Sequence, residues 1–342
     1  MKTTTTLITA VGSAAACAVN ERLHALSHRV IGCDIYPRAW NATSVEVDVF
    51  FQAVLATDAQ SYLAQLEEQV KRYEVDYLIP LTDVEVDVLC MQKERFAALG
   101  CVICAPDEAI AGLCRNKLEM ARRLDALGCC LTIPTFSPYG YVPKESDFPM
   151  MLKPLRGRSS QGQMVVRTRE AFLSALAMRD DYIAQPYITG DIYTVDVARD
   201  VSGQVQTLVR HELLRTVNGL GTTVQILPDH KLSVVCERIA AFAGLVGVVN
   251  MEFIEHDGLY YFLEVNPRFS GGVGFSIAAG VDFVALDIAC WTGGRIGQRV
   301  QAKEMLMTRK MEIVTTQGVS ESYQSKKSKN ECKPCMCVMK KG

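Results

Sequence analysis

The residues best equipped for chemistry lie on one hairpin. Asn250, Met251, Glu252, Phe253 and Ile254 form a β-rich run. Asp257-Gly258 supplies a turn, and the return run carries Glu264, Asn266 and, just beyond it, Arg268. Side chains two apart on a strand share a face, so Asn250 projects with Glu252 and Glu264 projects with Asn266. Carboxylates and amide oxygens gathered on one side make an oxygen-only donor set, which hard cations such as Mg²⁺ prefer. Arg268 adds a permanent positive charge suited to a phosphoryl group. A hairpin with a merely polar outer face would show the same alternation. Here, however, the acids interrupt otherwise apolar runs and lead into Ser270-Gly271-Gly272, where backbone can approach a ligand closely.

Two further stretches read as phosphate and nucleoside contacts. Lys153 ends an apolar run and is followed by Arg156 and the loop 157–162, with Gly157, Ser159, Ser160 and Gly162. Charge and exposed backbone N–H groups together suit a phosphate, although a solvated turn has the same composition and the Gly-Lys-Ser/Thr ending of a P-loop is absent. In the stretch 184–191, Gln185, Tyr187 and Ile188 offer backbone groups to an adenine edge, and Asp191 could accept ribose hydroxyls. An ordinary inter-strand linker reads the same way.

These residues need a scaffold. Segments 5–10, 29–34, 75–80 and 102–104 have strand character and alternate with helical patterns over 14–27, 59–73 and 84–99. Such β/α alternation predicts a parallel sheet with ligands at the carboxyl ends of its strands. Only Gly12 stands where a dinucleotide fingerprint needs three glycines, so a Rossmann-like domain that does not bind NAD is expected. A helix over 107–127 and a Pro/Gly connector over 134–143 follow. Short β-rich runs at 149–154, 163–166, 192–197 and 204–209 then predict an antiparallel, α+β portion. Asp83, in Thr82-Asp83-Val84-Glu85, reads equally as a site for a substrate amine or as the acidic first turn of a capped helix.

The ordered set Asn116-Lys117, Leu152-Lys153-Pro154, the Gly/Ser loop, Thr194-Val195-Asp196-Val197, Glu252 and Glu264-Val265-Asn266-Pro267-Arg268 resembles the ATP-grasp superfamily. The likeness is strongest to a single ATP-grasp unit of the carbamoyl-phosphate synthetase large subunit and covers residues 3–312. It implies a Rossmann-like pre-ATP-grasp domain (1–106) and a two-subdomain ATP-grasp fold (107–317, with a lid at about 135–187). ATP would lie between the two subdomains. Lys117 and Lys153 would contact its phosphates, the loop 157–162 would close over them, Gln185, Tyr187 and Ile188 would hold adenine, and Asp191 would take the ribose. Glu252, Glu264 and Asn266 would bind Mg²⁺ or Mn²⁺, and Arg268 would steady the transferring phosphate. Arg210 and Arg215 fall where substrate contacts are expected. Departures are Gln185 and Asp191 where many relatives carry Glu, and a loop stiffened by Arg156 and Arg158.

The implied activity is an ADP-forming carboxylate–amine ligase acting through an acyl-phosphate. A carbamoyl-phosphate-type subunit and a non-catalytic ATP sensor are the rivals. The formal charge of −2 gives no bulk attraction for nucleic acid, and no apolar run of membrane-spanning length occurs. Small-molecule substrates, a cytoplasmic location and a homodimer are expected. Most of the thirteen cysteines read as small buried hydrophobes, Cys101-x-x-Cys104 lacking a partner pair at zinc spacing, and the Lys- and Cys-rich stretch 318–342 reads as a disordered tail, with a soft-metal or redox patch of its clustered thiols as the alternative.

Overall fold

The computed structural model describes residues 3–157 and 161–316. Residues 3–106 alternate in the expected sense: β1 (Thr5–Ile8), α1 (Ala16–Ala25), β2 (Arg29–Asp34), α2 (Ala42–Glu46), β3 (Val49–Gln52), α3 (Ala59–Tyr73), β4 (Tyr77–Ile79), α4 (Asp83–Leu89), α5 (Lys93–Ala97) and β5 (Val102–Ile103). The strands form a parallel sheet in the order β3-β2-β1-β4-β5, so the chain reverses direction across the sheet between β1 and β4. That switch point leaves a crevice beyond the strand ends.

Two expected helices are each broken. The 84–99 pattern splits into α4 and α5 around Cys90–Gln92. The 107–127 pattern splits into α6 (Glu108–Arg115) and α7 (Lys117–Leu127) at Asn116. Asn116 takes φ −94° and ψ 91°, and its side chain accepts the Glu119 N–H at 3.0 Å, capping the second helix.

The remainder comprises β6 (Leu131–Thr132), β7 (Met150–Pro154), β8 (Met164–Val166), α8 (Arg169–Met178), β9 (Tyr182–Pro186), β10 (Asp191–Arg199), β11 (Val205–Arg215), β12 (Gly221–Leu227), α9 (Leu232–Phe242), β13 (Gly247–His256), β14 (Leu259–Asn266), α10 (Val273–Ala278), α11 (Phe283–Trp291) and β15 (Met305–Thr308). An antiparallel sheet β8-β7-β9 has its own small core around Leu152, Phe172 and Ala184. A larger sheet runs β15-β12-β11-β10-β13-β14-β6, antiparallel except for the β14–β6 pair. One apolar cluster joins Ile8, Val11 and Val19 of the first sheet layer to Phe269, Val273 and Phe283, so the Rossmann-like layer and the large sheet share a core.

Among the described residues no helix is long and apolar enough to cross a membrane. Cys33, Cys101, Cys104 and Cys236 are buried free thiols, in keeping with their reading as small hydrophobes. The tail from 318 and its cysteines lie outside the described residues.

Candidate active site

A cavity of about 960 Å³ lies where the three sheets meet, lined from the strand ends of the first sheet, from β7 and β9, and from one face of the large sheet. The β13–β14 hairpin supplies that face. Asn250 stands opposite Asn266 and Glu252 opposite Glu264, so the four side chains predicted to share a side do so. A register shift just after Glu252 accommodates the extra residue Leu263 before apolar pairing resumes with Phe253 and Phe262.

Two lysines meet this hairpin. The break at Asn116 places Lys117 at the first position of α7, with its Nζ 3.3 Å from Glu264 Oε2 and 3.1 Å from the Gly157 carbonyl. Lys153 projects from β7 into the cavity and is nearly enclosed. Burial pushes its ammonium down, and Glu264 acts against that. Burial would raise the Glu264 carboxyl, but Lys117 and Lys153 outweigh it and hold the group below the usual range. Glu252 goes the other way. Burial raises it, Arg215 pulls against the rise, and Glu264 and Glu212 reinforce it.

Arg268 is fixed by the first domain. Asp83 accepts from its Nε at 3.1 Å and its Nη2 at 2.8 Å, while Nη1 donates to the Phe269 carbonyl. Asp83 is therefore not a free carboxylate for a substrate amine. The capped-helix alternative is also met, through a Thr82/Glu85 capping box. Arg115, which the sequence analysis did not single out, ends α6 almost wholly buried. It donates to the carbonyls of Arg156 and Gly157 at 3.3 Å each and lies 3.8 Å from Asp83. A charged residue one place before a helix-breaking Asn was its only signal.

The nucleoside end is partly assembled. The amide nitrogen of Gln185 donates to Thr135 Oγ1 at 2.8 Å, leaving Oε1 buried without a partner. An orphaned acceptor is what an adenine amino group needs, so Gln here offers the same atom type as Glu. Tyr187 and Ile188 line the cavity, although the Tyr187 N–H is taken by the Pro149 carbonyl at 3.0 Å. Asp191 stands apart. Ile192 and Thr194 face the cavity, so strand alternation turns Asp191 to the opposite face, where its exposed carboxylate pairs with His211 at 3.1 Å. Gly157 and Gly162 flank the phosphate loop, Gly162 at φ +70°, whereas Arg158, Ser159 and Ser160 lie outside the described residues.

The two candidate substrate arginines differ. Arg215 lines the cavity with Nη2 3.0 Å from Glu252 Oε2. Arg210 corrects the expectation: it is 0% exposed, and its two Nη groups are taken by Asp196, Ser270 and Ser276. It braces the sheet floor and offers no open fork to a carboxylate. A Cβ on Gly272 would come within 3.1 Å of that guanidinium, which explains the glycine.

With this geometry in view, comparison with known proteins is informative. Residues 178–314 match the family model described as ATP-grasp in the biosynthetic pathway with Ter operon. The fold is ATP-grasp-like. Residues 6–104 match the PylC-like N-terminal domain. It is 24% identical over 194 residues to the carbamoyl phosphate synthase large chain of Clostridium beijerinckii, which is 51% of this chain but only 18% of that one. The biotin carboxylase domain dimer of Hydrogenobacter thermophilus 2-oxoglutarate carboxylase, in complex with MgADP and bicarbonate, superposes with a TM-score of 0.70. The match has 16% identity and covers 88% of this chain and 73% of that one. The L-amino acid ligase from Bacillus licheniformis gives 0.66 at 17% identity, covering 85% and 75%.

The cavity also suits a hard dication. Among the described residues no three His, Cys, Asp or Glu converge on one point. The donors here are instead the facing pair Glu252 and Glu264 with Asn266. Two facing acids in one cavity, Glu252 raised by burial with Glu264 adding to the rise, form a set that a divalent cation would neutralise.

Proposed function

We propose that the protein is an ATP-dependent carboxylate–amine ligase that releases ADP and phosphate. The observation that carries this reading is the convergence of Lys153, Glu252, Glu264, Asn266 and Arg268 on one cavity, from a lid strand and a hairpin distant in sequence, with Lys117 at a helix start 3.3 Å from Glu264. Lys117 and Lys153 would hold the ATP phosphates, the 157–162 loop would cover them, and Gln185, Tyr187 and Ile188 would receive adenine. Glu252, Glu264 and Asn266 would hold Mg²⁺, with Mn²⁺ as a substitute, and the ion would offset phosphate charge.

In the first step a substrate carboxylate oxygen attacks the γ-phosphorus and the bond to the β-phosphate oxygen breaks, giving an acyl-phosphate and ADP. In the second an amine nitrogen attacks the acyl carbon, phosphate leaves with the C–O bond electrons, and the amine proton passes to phosphate or solvent. Arg268, kept rigid by Asp83, would stabilise charge on the transferring group without reorganising. The lid sheet would keep water from the acyl-phosphate. A homodimer, as in the Hydrogenobacter biotin carboxylase domain dimer, belongs to the same reading.

The test is nucleotide turnover with Mg²⁺ and pooled amino acids and small carboxylates, resolving ADP from AMP, with Glu264→Ala as control. Substrate-dependent ADP release that disappears in the variant is expected. AMP with pyrophosphate, or ATP binding with no turnover across the pools, would reject the ligase.

A further inference from the structure

The cavity has two chemically different ends. Its cations, Lys153, Arg210, Arg215 and Arg268, all lie after residue 106, Arg210 engaged by Asp196, Ser270 and Ser276, and no Lys, Arg or His of residues 3–106 lines it. The acids that the first domain contributes are already engaged. Asp34 accepts the N–H groups of Gly12 and Tyr36 at 2.8 and 3.0 Å. Glu85 is bonded by Thr9, Thr82 and Tyr62. Asp83 is clamped on Arg268. Ser13 Oγ and Asn41 Nδ2, buried here without partners, add neutral polar groups, and the large exposed side chains beside them are apolar. At the carboxyl ends of β2 and β3, the lining residues Ile35, Tyr36, Val54 and Leu55 remain 41, 50, 40 and 57% exposed.

Exposed large hydrophobes gathered at the mouth of a cleft have a cost in water that a ligand can relieve. These side chains and Arg268 line the same cavity, and Asp83 of the first domain touches that guanidinium. An Arg carries five N–H donors; Asp83 and the Phe269 carbonyl engage three, which leaves two for a carboxylate. We propose that the acid substrate is amphipathic, its carboxylate held at Arg268 and a large aliphatic or aromatic remainder seated on Tyr36, Val54 and Leu55. This deepens the ligase reading and rests on it. A dicarboxylate, or an acid with a charged side chain, would place that charge where no counter-ion waits.

Trp40 provides a direct probe. Its ring stacks on Tyr36 with centroids 5.8 Å apart, it is 61% exposed, and the only other tryptophan is Trp291. The full chain is titrated with leucine against glutamate, and with 4-methylpentanoate against glutarate, following tryptophan emission and ADP release in the same samples. The apolar member of a pair should shift the emission at a concentration at least about tenfold below its charged partner. Trp40→Phe should remove the signal, and Leu55→Asp, at an exposed position, should weaken the apolar ligand by a similar factor. Equal or tighter binding of the charged acids, no response to either apolar acid, or an unaffected Leu55→Asp would overturn the proposal. Selective binding without ADP release would support the apolar seat and fail the ligase, whereas ADP release favouring the charged acids would do the reverse.

Discussion

Asp83 and Arg268, 185 residues apart in sequence, are joined by two hydrogen bonds within 3.1 Å that cross from the first helix after β4 to the residues just beyond the β13–β14 hairpin. Burial alone would raise the Asp83 carboxyl, but Arg268, followed by Arg115 and Lys117, outweighs it and holds the group below its usual range. Two domains thus share one fixed guanidinium.

Replacing Asp83 with Asn keeps the shape and removes the charge. The guanidinium then gains freedom at the moment of phosphoryl transfer, and kcat should fall about 10- to 100-fold while the KM for ATP changes much less. The same variant should lose about 1–3 kcal/mol of stability. A KM effect with unchanged kcat would contradict the assignment of Asp83 as a positioning residue.

Arg210 and Asp196 form a pair with almost no solvent contact. Breaking it with Arg210→Met leaves Asp196 charged and enclosed, a loss of about 3–5 kcal/mol in urea denaturation. The double variant Arg210→Met/Asp196→Leu should recover more than half of that, because no isolated charge remains. If the double variant is as unstable as the single one, the loss lies in the bonds to Ser270 and Ser276 and not in the ion pair.

Asp287 is buried and accepts from the Val248 N–H at 2.9 Å and Trp291 Nε1 at 3.0 Å. Burial outweighs both bonds and pushes its carboxyl from 3.8 up to about 7. A folded-state value above the unfolded one gives stability that is complete below pH 3.8 and lost as pH rises through about 7. Between pH 5 and pH 8 this amounts to about 2–3 kcal/mol. Asp287→Asn retains an acceptor oxygen and lacks the titration, so its melting temperature should gain on that of the natural protein over this range. Parallel pH profiles would count against the buried-carboxyl account.

The strand order of chemistry was legible because alternation is a strict rule. Asn250, Glu252, Glu264 and Asn266 fell on one face as their spacing required. The same rule held the correction for Asp191: it shares parity with Tyr193, Val195 and Val197, which pack into the core behind the sheet. What sequence spacing could not reveal was which charges find each other across the fold. Arg210 was a substrate candidate because the resemblance places substrate contacts there, yet its partners Ser270 and Ser276 are 60 and 66 residues away. Arg115 gave no motif, since its role comes from two backbone carbonyls of another segment. The short α2 and β3 were missed because five and four residues are too few to establish a period.

The apolar cluster that runs from Ile8 and Val19 through to Phe269 and Phe283 has a consequence for recombination. A chimera cut between 104 and 108, at the visible change of architecture, would separate each half of that cluster from its packing partners. Exchanging the first layer with a distant relative's would disturb its packing with Ala198, Leu208, Val248 and residues 269–296 together, so the boundary visible along the chain is not a boundary in the core.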